Sequence, residues 1–189
     1  RPRSLVISAG SSQRAMSIRI ARDPNDLMLV TAIRAAVYLA EQDCPIEEEF
    51  DGNDLVAAHF IGFIGSEPAA CLRVRFFGEF AKIERLAVRH QFRRSRISFK
   101  LVQASLDYAR RKGFKKAYGH AQDRLVNFWA HFGAKPLGHN RKLTFSDFSY
   151  TEMVLDLEPD ADAITLDSDP CLIISPEGDG DRPGVLGST

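Results

Sequence analysis

A chain of 189 residues, 44% hydrophobic and 26% charged, has the size and mixture of one globular domain with some tail to spare. Lysine plus arginine balances aspartate plus glutamate at 25 each, which argues against a general nucleic-acid binder and leaves only local basic clusters to weigh. The three cysteines, Cys44, Cys71 and Cys171, are far apart and form no CxxC pair, so neither a disulfide framework nor a thiolate zinc site is indicated.

No apolar run is long enough to span a bilayer, and RPRSLVISAG has too short an apolar core for a signal segment, so a reducing cytoplasm is the expected location. Residues 1–15, rich in arginine and serine, read as a flexible N-terminal extension. The folded domain is expected over 16–158. An acidic, Pro- and Gly-rich tail follows over 159–189, where CLIIS could add an edge strand.

SIRIA, from Ser17, reads as the first strand. Asp23-Pro24 then supplies an N-cap and a first-turn proline, and Leu27, Val30, Ile33 and Val37 continue a helical stripe to about Gln42. After the acidic EEEFDGND segment, AAHFIGFIG and AACLRVRFF flank a turn at Ser66-Glu67 and predict an antiparallel hairpin. KIERLAV is a third strand of this group. In the next helix Ile97, Leu101, Ala104 and Tyr108 share a stripe, with Val102, Leu106 and Ala109 beside it, and RRKG closes the last turn. KKAYGHA then predicts a strand, LVNFWAHF a short helix ended by Gly133, and RKLTF and YTEMVLDL two more strands. The fold class is therefore α/β (α+β), a mixed and mostly antiparallel sheet with helices on both faces.

Two features carry chemistry. In a regular strand Glu84 shares a face with Leu86 and Val88, where apolar neighbours would raise its pKa and suit it to act as a general base toward an amine. The other reading pairs Glu84 with Lys82, Arg85 or another basic group. The second feature is QFRRSRISFK, a strand-to-helix junction carrying Arg93, Arg94 and Arg96. Unpaired N–H groups and the helix dipole make such a junction an anion site, while a merely solvated basic turn is the alternative. The five histidines, His59, His90, His120, His131 and His139, show no metal-ligand spacing, and no metal is expected. Cys44 and Cys71 lack an activating neighbour. Glu47, Glu48, Glu49 and Asp51 are either a solvated acidic turn or an attraction for a cationic amine.

The stretch LAVRHQFRRSRISFKLVQASLDYARRKGF resembles the cofactor-binding strand, loop and helix of the GNAT superfamily of acyl-CoA-dependent N-acetyltransferases, with Phe92 and Arg93 on the motif's aromatic and leading arginine. AVYLAEQDCPIEEEFDGND is similar to an early segment of some bacterial members, and AYGHAQDRLVNFWAHFGA to the later strand and helix. The resemblance covers about residues 17–157. It implies acetyl-CoA as acyl donor, with the loop Arg93, Arg94, Ser95, Arg96, Ile97 and Ser98 on the pyrophosphate. The edge Leu86, Ala87 and Val88 would pair with the pantetheine, Asn127 would touch the cofactor, and Glu84 would act as base.

This sequence departs from the family text at two places. Arg94, Arg96 and Ser98 stand where the motif has glycine, and Trp129 stands where many members carry a tyrosine that protonates the leaving thiolate. Tyr118, His120 or His131 could substitute for that acid. The acceptor would be a small-molecule or peptide amine, with no membrane or nucleic-acid partner, and the protein a monomer or homodimer. Two alternatives accompany this reading. One is a degenerate domain that binds acyl-CoA or a partner without turnover. The other is an enzyme like an acyl-homoserine-lactone synthase, which would bind S-adenosylmethionine and is suggested by Arg34 and the EEEFDGND run.

Overall fold

The computed structural model describes residues 15–174 except 140 and 142. Nearly all of the expected N-terminal extension and the final part of the expected tail lie outside the described residues. In chain order the elements are β1 (Met16–Ile20), α1 (Pro24–Arg34), α2 (Ile46–Glu49), β2 (Ala58–Ile64), β3 (Glu67–Phe76), β4 (Ala81–Val88), α3 (Ile97–Arg111), β5 (Lys116–Gln122), α4 (Val126–Ala130), β6 (Lys135–Pro136), β7 (Leu143–Phe145), β8 (Phe148–Asp156) and α5 (Pro170–Ile174). One sheet runs β1-β2-β3-β4-β5-β8-β6, with β7 also on β8. Every pairing is antiparallel except β4 with β5.

The β4–β5 pairing positions the site. It consists of only Ala81↔Ala117 and Lys82↔Tyr118, after which the two parallel strands part. They are still close at Gly119, where an added Cβ would lie 2.8 Å from the carbonyl oxygen of Ile83, so a side chain there would push the strands apart.

Helix α3 packs Ile97, Leu101, Val102, Leu106 and Ala109 against Phe60, Leu72, Val74 and Ile83 of the sheet, and this cluster is the larger core. The opposite face is covered by α1 through Val30, Ile33 and Val37, which meet Ile61, Cys71 and Ala87. The α1 start is as expected: the Asp23 side chain accepts from the Asp26 N–H at 2.9 Å and Pro24 opens the helix. Its end is not regular α-helix. Residues Ala35–Leu39 form a π-turn, with the Ala40 N–H bonded to the Ala35 carbonyl at 3.0 Å. A π-turn rotates the helix face that the succeeding side chains occupy, and here it places Tyr38 so that its hydroxyl donates to the Leu86 carbonyl at 2.8 Å.

Two further differences from the sequence reading have physical causes. The acidic run is partly helical, as α2, because Pro45 starts a turn whose carbonyl accepts from Glu48 and Glu49 at 3.1 Å. Residues 171–174 of CLIIS are the body of α5, nucleated by an Asp169 side chain that accepts the Cys171 N–H at 2.8 Å, and are not an edge strand.

Candidate active site

Strand β4 contains a bulge. Cys71 pairs with Ala87 but Arg73 pairs with Glu84, so Leu72 faces two residues, and Arg85 has φ 55° in the left-handed region. The extra residue reverses the alternation. Ile83, Leu86 and Val88 pack toward α3, whereas Glu84 lies on the α1 face among cations. The expectation that Glu84 shares a face with Leu86 and Val88, and has a raised pKa, is therefore corrected.

The Glu84 carboxylate meets Arg75 Nε at 2.5 Å, Lys82 Nζ at 3.1 Å and an Arg73 terminal nitrogen at 3.2 Å. Burial raises its pKa, but Arg75, Arg73 and Lys82 together outweigh burial and hold it below the ordinary value. Of the two sequence readings, pairing with basic groups describes the structure, and Lys82 is one of the partners.

Behind Glu84 runs a buried ionic network. Arg73, wholly buried, spans Asp51 at 2.7 Å and Asp54 at 2.9 Å. Arg34, also buried, bonds Glu49 through Nε, Asp54 at 2.5 Å and the Glu49 carbonyl at 2.6 Å. Arg85 closes the set on Glu49 at 3.0 Å. Glu49 and Asp51 are thus paired with internal arginines, while Glu47 and Glu48 are exposed. The network ties the α2 loop to β3 and β4, making it a fixed wall beside Glu84.

At the other end of β4, the Arg89 to Arg96 loop leads into α3. The amides of Phe92, Arg93 and Ser95 bond to the carbonyls of Arg89, His90 and Phe92. Those of Arg94, Arg96 and Ser98 take no acceptor among the described residues, and they stand at the positive end of a 15-residue helix. Arg96 is the residue before that helix and adopts φ 65°, ψ 14°, the conformation for which glycine is usually kept. Its guanidinium lies over the Phe99 ring at 5.4 Å. Phe99 in turn packs on Phe128 of α4 at 5.1 Å, joining the two helices that flank the β4–β5 opening. Arg93 pairs with Glu41 and reaches the Val88 carbonyl at 3.3 Å. Arg94 is exposed, and Ser95 turns its hydroxyl onto the Phe92 carbonyl at 2.6 Å. Ile97 is a core residue.

A split between parallel β4 and β5 is thus closed at one end and bordered by a helix start with unused amides. The family model for the acetyltransferase (GNAT) family matches residues 27–134, more than half of the chain. The chain belongs to that family.

This acetyltransferase is 26% identical over 128 residues to the uncharacterized N-acetyltransferase YjcF of Bacillus subtilis, a match covering 68% of this chain and 91% of YjcF. Its fold is similar to that of Escherichia coli ElaA, with a TM-score of 0.66 at 24% identity, covering 74% of this chain and 99% of ElaA. It is also similar to a GNAT family acetyltransferase of Elizabethkingia anophelis with acetyl-CoA bound, with a TM-score of 0.53 at 15% identity, covering 76% and 97% of the two chains.

The remaining candidates fall on both sides of the sheet. Asn127 is exposed on α4, one residue from the Phe128 that packs on Phe99. Trp129 does not face the ionic side. It lines an apolar cavity under the split with Ile83, Val102, Gly119, Phe132 and Met153. His131 is exposed and packs on Phe99 at 5.3 Å, on the helix side.

Tyr118 and His120 lie on the ionic side, and their partners were missed in the sequence. The Tyr118 hydroxyl donates to Glu152 Oε1 at 2.5 Å and is 2.8 Å from His120 Nε2, while Arg141 grips Glu152 with two bonds of 2.9 Å. Period-two alternation in KKAYGHA puts Tyr118 and His120 on one face, but that Glu152 sits opposite His120 depends on the β5–β8 register. Cys71 is buried with its thiol pushed up to about 12, and Cys44 Sγ accepts from Ser146 at 3.2 Å, so neither is an activated nucleophile. No group of residues able to hold a metal ion, and no helix long and apolar enough to cross a membrane, occurs among the described residues.

Proposed function

We propose that this enzyme transfers the acetyl group of acetyl-CoA to a primary amine, on a small molecule or peptide, by direct attack of the neutral amine on the thioester. The observation that carries the reading is the β4–β5 split beside the unused amides of Arg94, Arg96 and Ser98. Those amides fit a pyrophosphate, and Arg94 stands close in sequence to add an ionic contact. Arg96 already adopts the backbone conformation that glycine would supply and directs its side chain to Phe99, so its bulk is accommodated outside the loop. Leu86, Ala87 and Val88 would border the pantetheine arm. The Leu86 and Val88 carbonyls each carry one side-chain donor and retain a second lone pair. Asn127 would reach the arm from α4.

Acetyl-CoA supplies the activated acetyl group. The chain's residues orient the amine and carry protons. Glu84 is the candidate base, directly or through a water, and acts as an ionised carboxylate because Arg75, Arg73 and Lys82 keep it deprotonated at neutral pH. The reaction belongs in a reducing cytoplasm, by a monomer or homodimer, without metal.

Calorimetric titration with acetyl-CoA, run beside S-adenosylmethionine, tests the reading. Micromolar acetyl-CoA binding followed by turnover in an amine panel is the expected result. No acetyl-CoA binding would sink it, and binding of S-adenosylmethionine would replace it. Glu84→Gln is expected to lower kcat by about 100-fold or more while leaving acetyl-CoA affinity intact.

A further inference from the structure

We infer that His120 takes the first proton from the acceptor ammonium, its Nδ1 kept bare by a hydrogen-bond chain that runs through Tyr118 to Glu152 and Arg141. The inference rests on the acetyl-transfer reading above and adds a second proton acceptor beside Glu84.

A count of protons along the chain decides the arrangement. Glu152 is buried on β8, gripped by Arg141 and bonded by Tyr118, and these contacts hold its carboxyl below the ordinary range, so it only accepts. Tyr118 keeps its hydroxyl proton, because burial and Glu152 push its pKa up to about 12. That single proton lies on the 2.5 Å bond to Glu152. The Tyr118 oxygen therefore faces His120 Nε2, 2.8 Å away, as an acceptor, and Nε2 must carry the hydrogen. Burial, followed by Lys82, lowers the His120 pKa, so the ring is neutral at pH 7 and has one N–H. Its Nδ1 is a lone pair. No protein donor reaches that atom among the described residues, and it is not one of the buried polar atoms left without a partner, so it is open to a ligand.

The position suits the role. Lys82 and Tyr118 form the last rung between β4 and β5, and Glu84 and His120 are the next residues of the same face on either side of the split. The groups facing His120 are Tyr118 on its own strand, Lys82 and Glu84 from β4, Glu152 from β8 and Arg141 before β7, with the Phe145 ring of β7 at 6.4 Å.

The chemistry divides between two bases. An ammonium sheds two protons on becoming an amide nitrogen, and the departing thiolate takes up one. The first proton leaves a weak acid and goes to the free Nδ1 lone pair of the His120 imidazole, whereas the Glu84 carboxylate is engaged by Arg73, Arg75 and Lys82. The amine nitrogen then bonds to the acetyl carbon and the carbon–sulfur bond breaks, its electron pair leaving on sulfur. Once acylated, the nitrogen is a much stronger acid, and the weakly basic Glu84 suffices to take the second proton and release it to water. The thiolate receives the first proton back from the His120 imidazolium. Tyr118, Glu152 and Arg141 are positioning residues that act through His120.

The test uses the full chain with acetyl-CoA and an amine found by the panel. His120→Gln keeps an N–H donor for Tyr118 while replacing the basic ring nitrogen by a non-basic amide oxygen. It is expected to lower kcat/KM by about 100-fold or more and to abolish the acid limb that protonation of His120 gives wild type below the ordinary imidazole range. Acetyl-CoA affinity stays unchanged. Nitrogen-15 NMR of wild type is expected to show the neutral ring protonated at Nε2, and Tyr118→Phe to mix the two tautomers and lower kcat without changing acetyl-CoA affinity. Wild-type turnover by His120→Gln, or an Nδ1-protonated ring in wild type, overturns the inference alone. Failure of wild type to bind acetyl-CoA overturns the acetyl-transfer reading and this inference with it.

Discussion

The two faces of the sheet are held by different forces. The α3 face is a packed apolar cluster that includes Leu101, Val102, Leu72 and Val74, each at most 1% exposed. The α1 face has a smaller apolar patch and, beside it, Arg34, Glu49, Asp51, Asp54, Arg73, Glu84 and Arg85 joined into one ionic network. Apolar burial is non-directional and tolerates small shifts, whereas a buried ion must find its counter-charge at hydrogen-bond range. The enzyme uses the first to seat α3 and the second for the wall beside Glu84.

That contrast can be broken most severely on the ionic side. Arg34→Ala leaves Glu49 buried without its main partner and is expected to cost about 3–5 kcal/mol in denaturant unfolding. Replacing Arg34 and Glu49 together by apolar residues should recover most of that loss, since no charge is then stranded. A loss from the pair as large as from Arg34→Ala would mean that the network stabilises beyond neutralising itself. On the apolar side, Leu101→Ala removes a wholly buried side chain and should cost about 2–5 kcal/mol, with no change in the dependence of stability on pH.

The ionic face should dominate that pH dependence. The folded-state pKa values of Asp51, Asp54 and Glu84 are depressed, Asp51 first of all by its bonds to Arg73, and Asp54 and Glu84 by paired cations that outweigh burial. A depressed carboxylate contributes stability that is fully present above its unfolded pKa of about 4 and is lost as pH falls toward the folded value. Unfolding free energy from urea titrations should therefore fall steadily from pH 5 to pH 2, with proton uptake on unfolding. A flat profile would contradict the network. The smallest effect expected is at Arg96→Gly. Relief of the left-handed backbone and the greater freedom of unfolded glycine nearly offset, leaving a change of no more than about 1 kcal/mol. Acetyl-CoA affinity by calorimetry should be unaltered, because the guanidinium rests on Phe99. A marked loss of affinity would show that the side chain holds phosphate.

Much of the fold was legible because its signals are local. Asp23-Pro24 starts α1 as its cap chemistry predicts, and the α3 stripe of Ile97, Leu101 and Tyr108 is buried as its period requires. The site was legible by position and not by environment. Glu84 could be singled out, but its charge state could not, because strand alternation cannot register a bulge one residue later at Arg85. The π-turn that delivers Tyr38 to Leu86 likewise looks like ordinary helix in the sequence. Trp129 stands where the family's acid would be, yet it lines an apolar cavity, while Tyr118 bonds to Glu152, which no motif marks.

The sequence by itself determined the order of the main strands and helices from β1 to β5, the mixed sheet and the strand-to-helix junction, because propensity, capping and periodicity act over a few residues. The tertiary structure alone decided where β4 and β5 part, which face Glu84 occupies, and which carboxylate holds Tyr118 and, through it, His120. Those are matters of strand register and of charges distant in sequence meeting in a buried space, and neither leaves a local pattern to read.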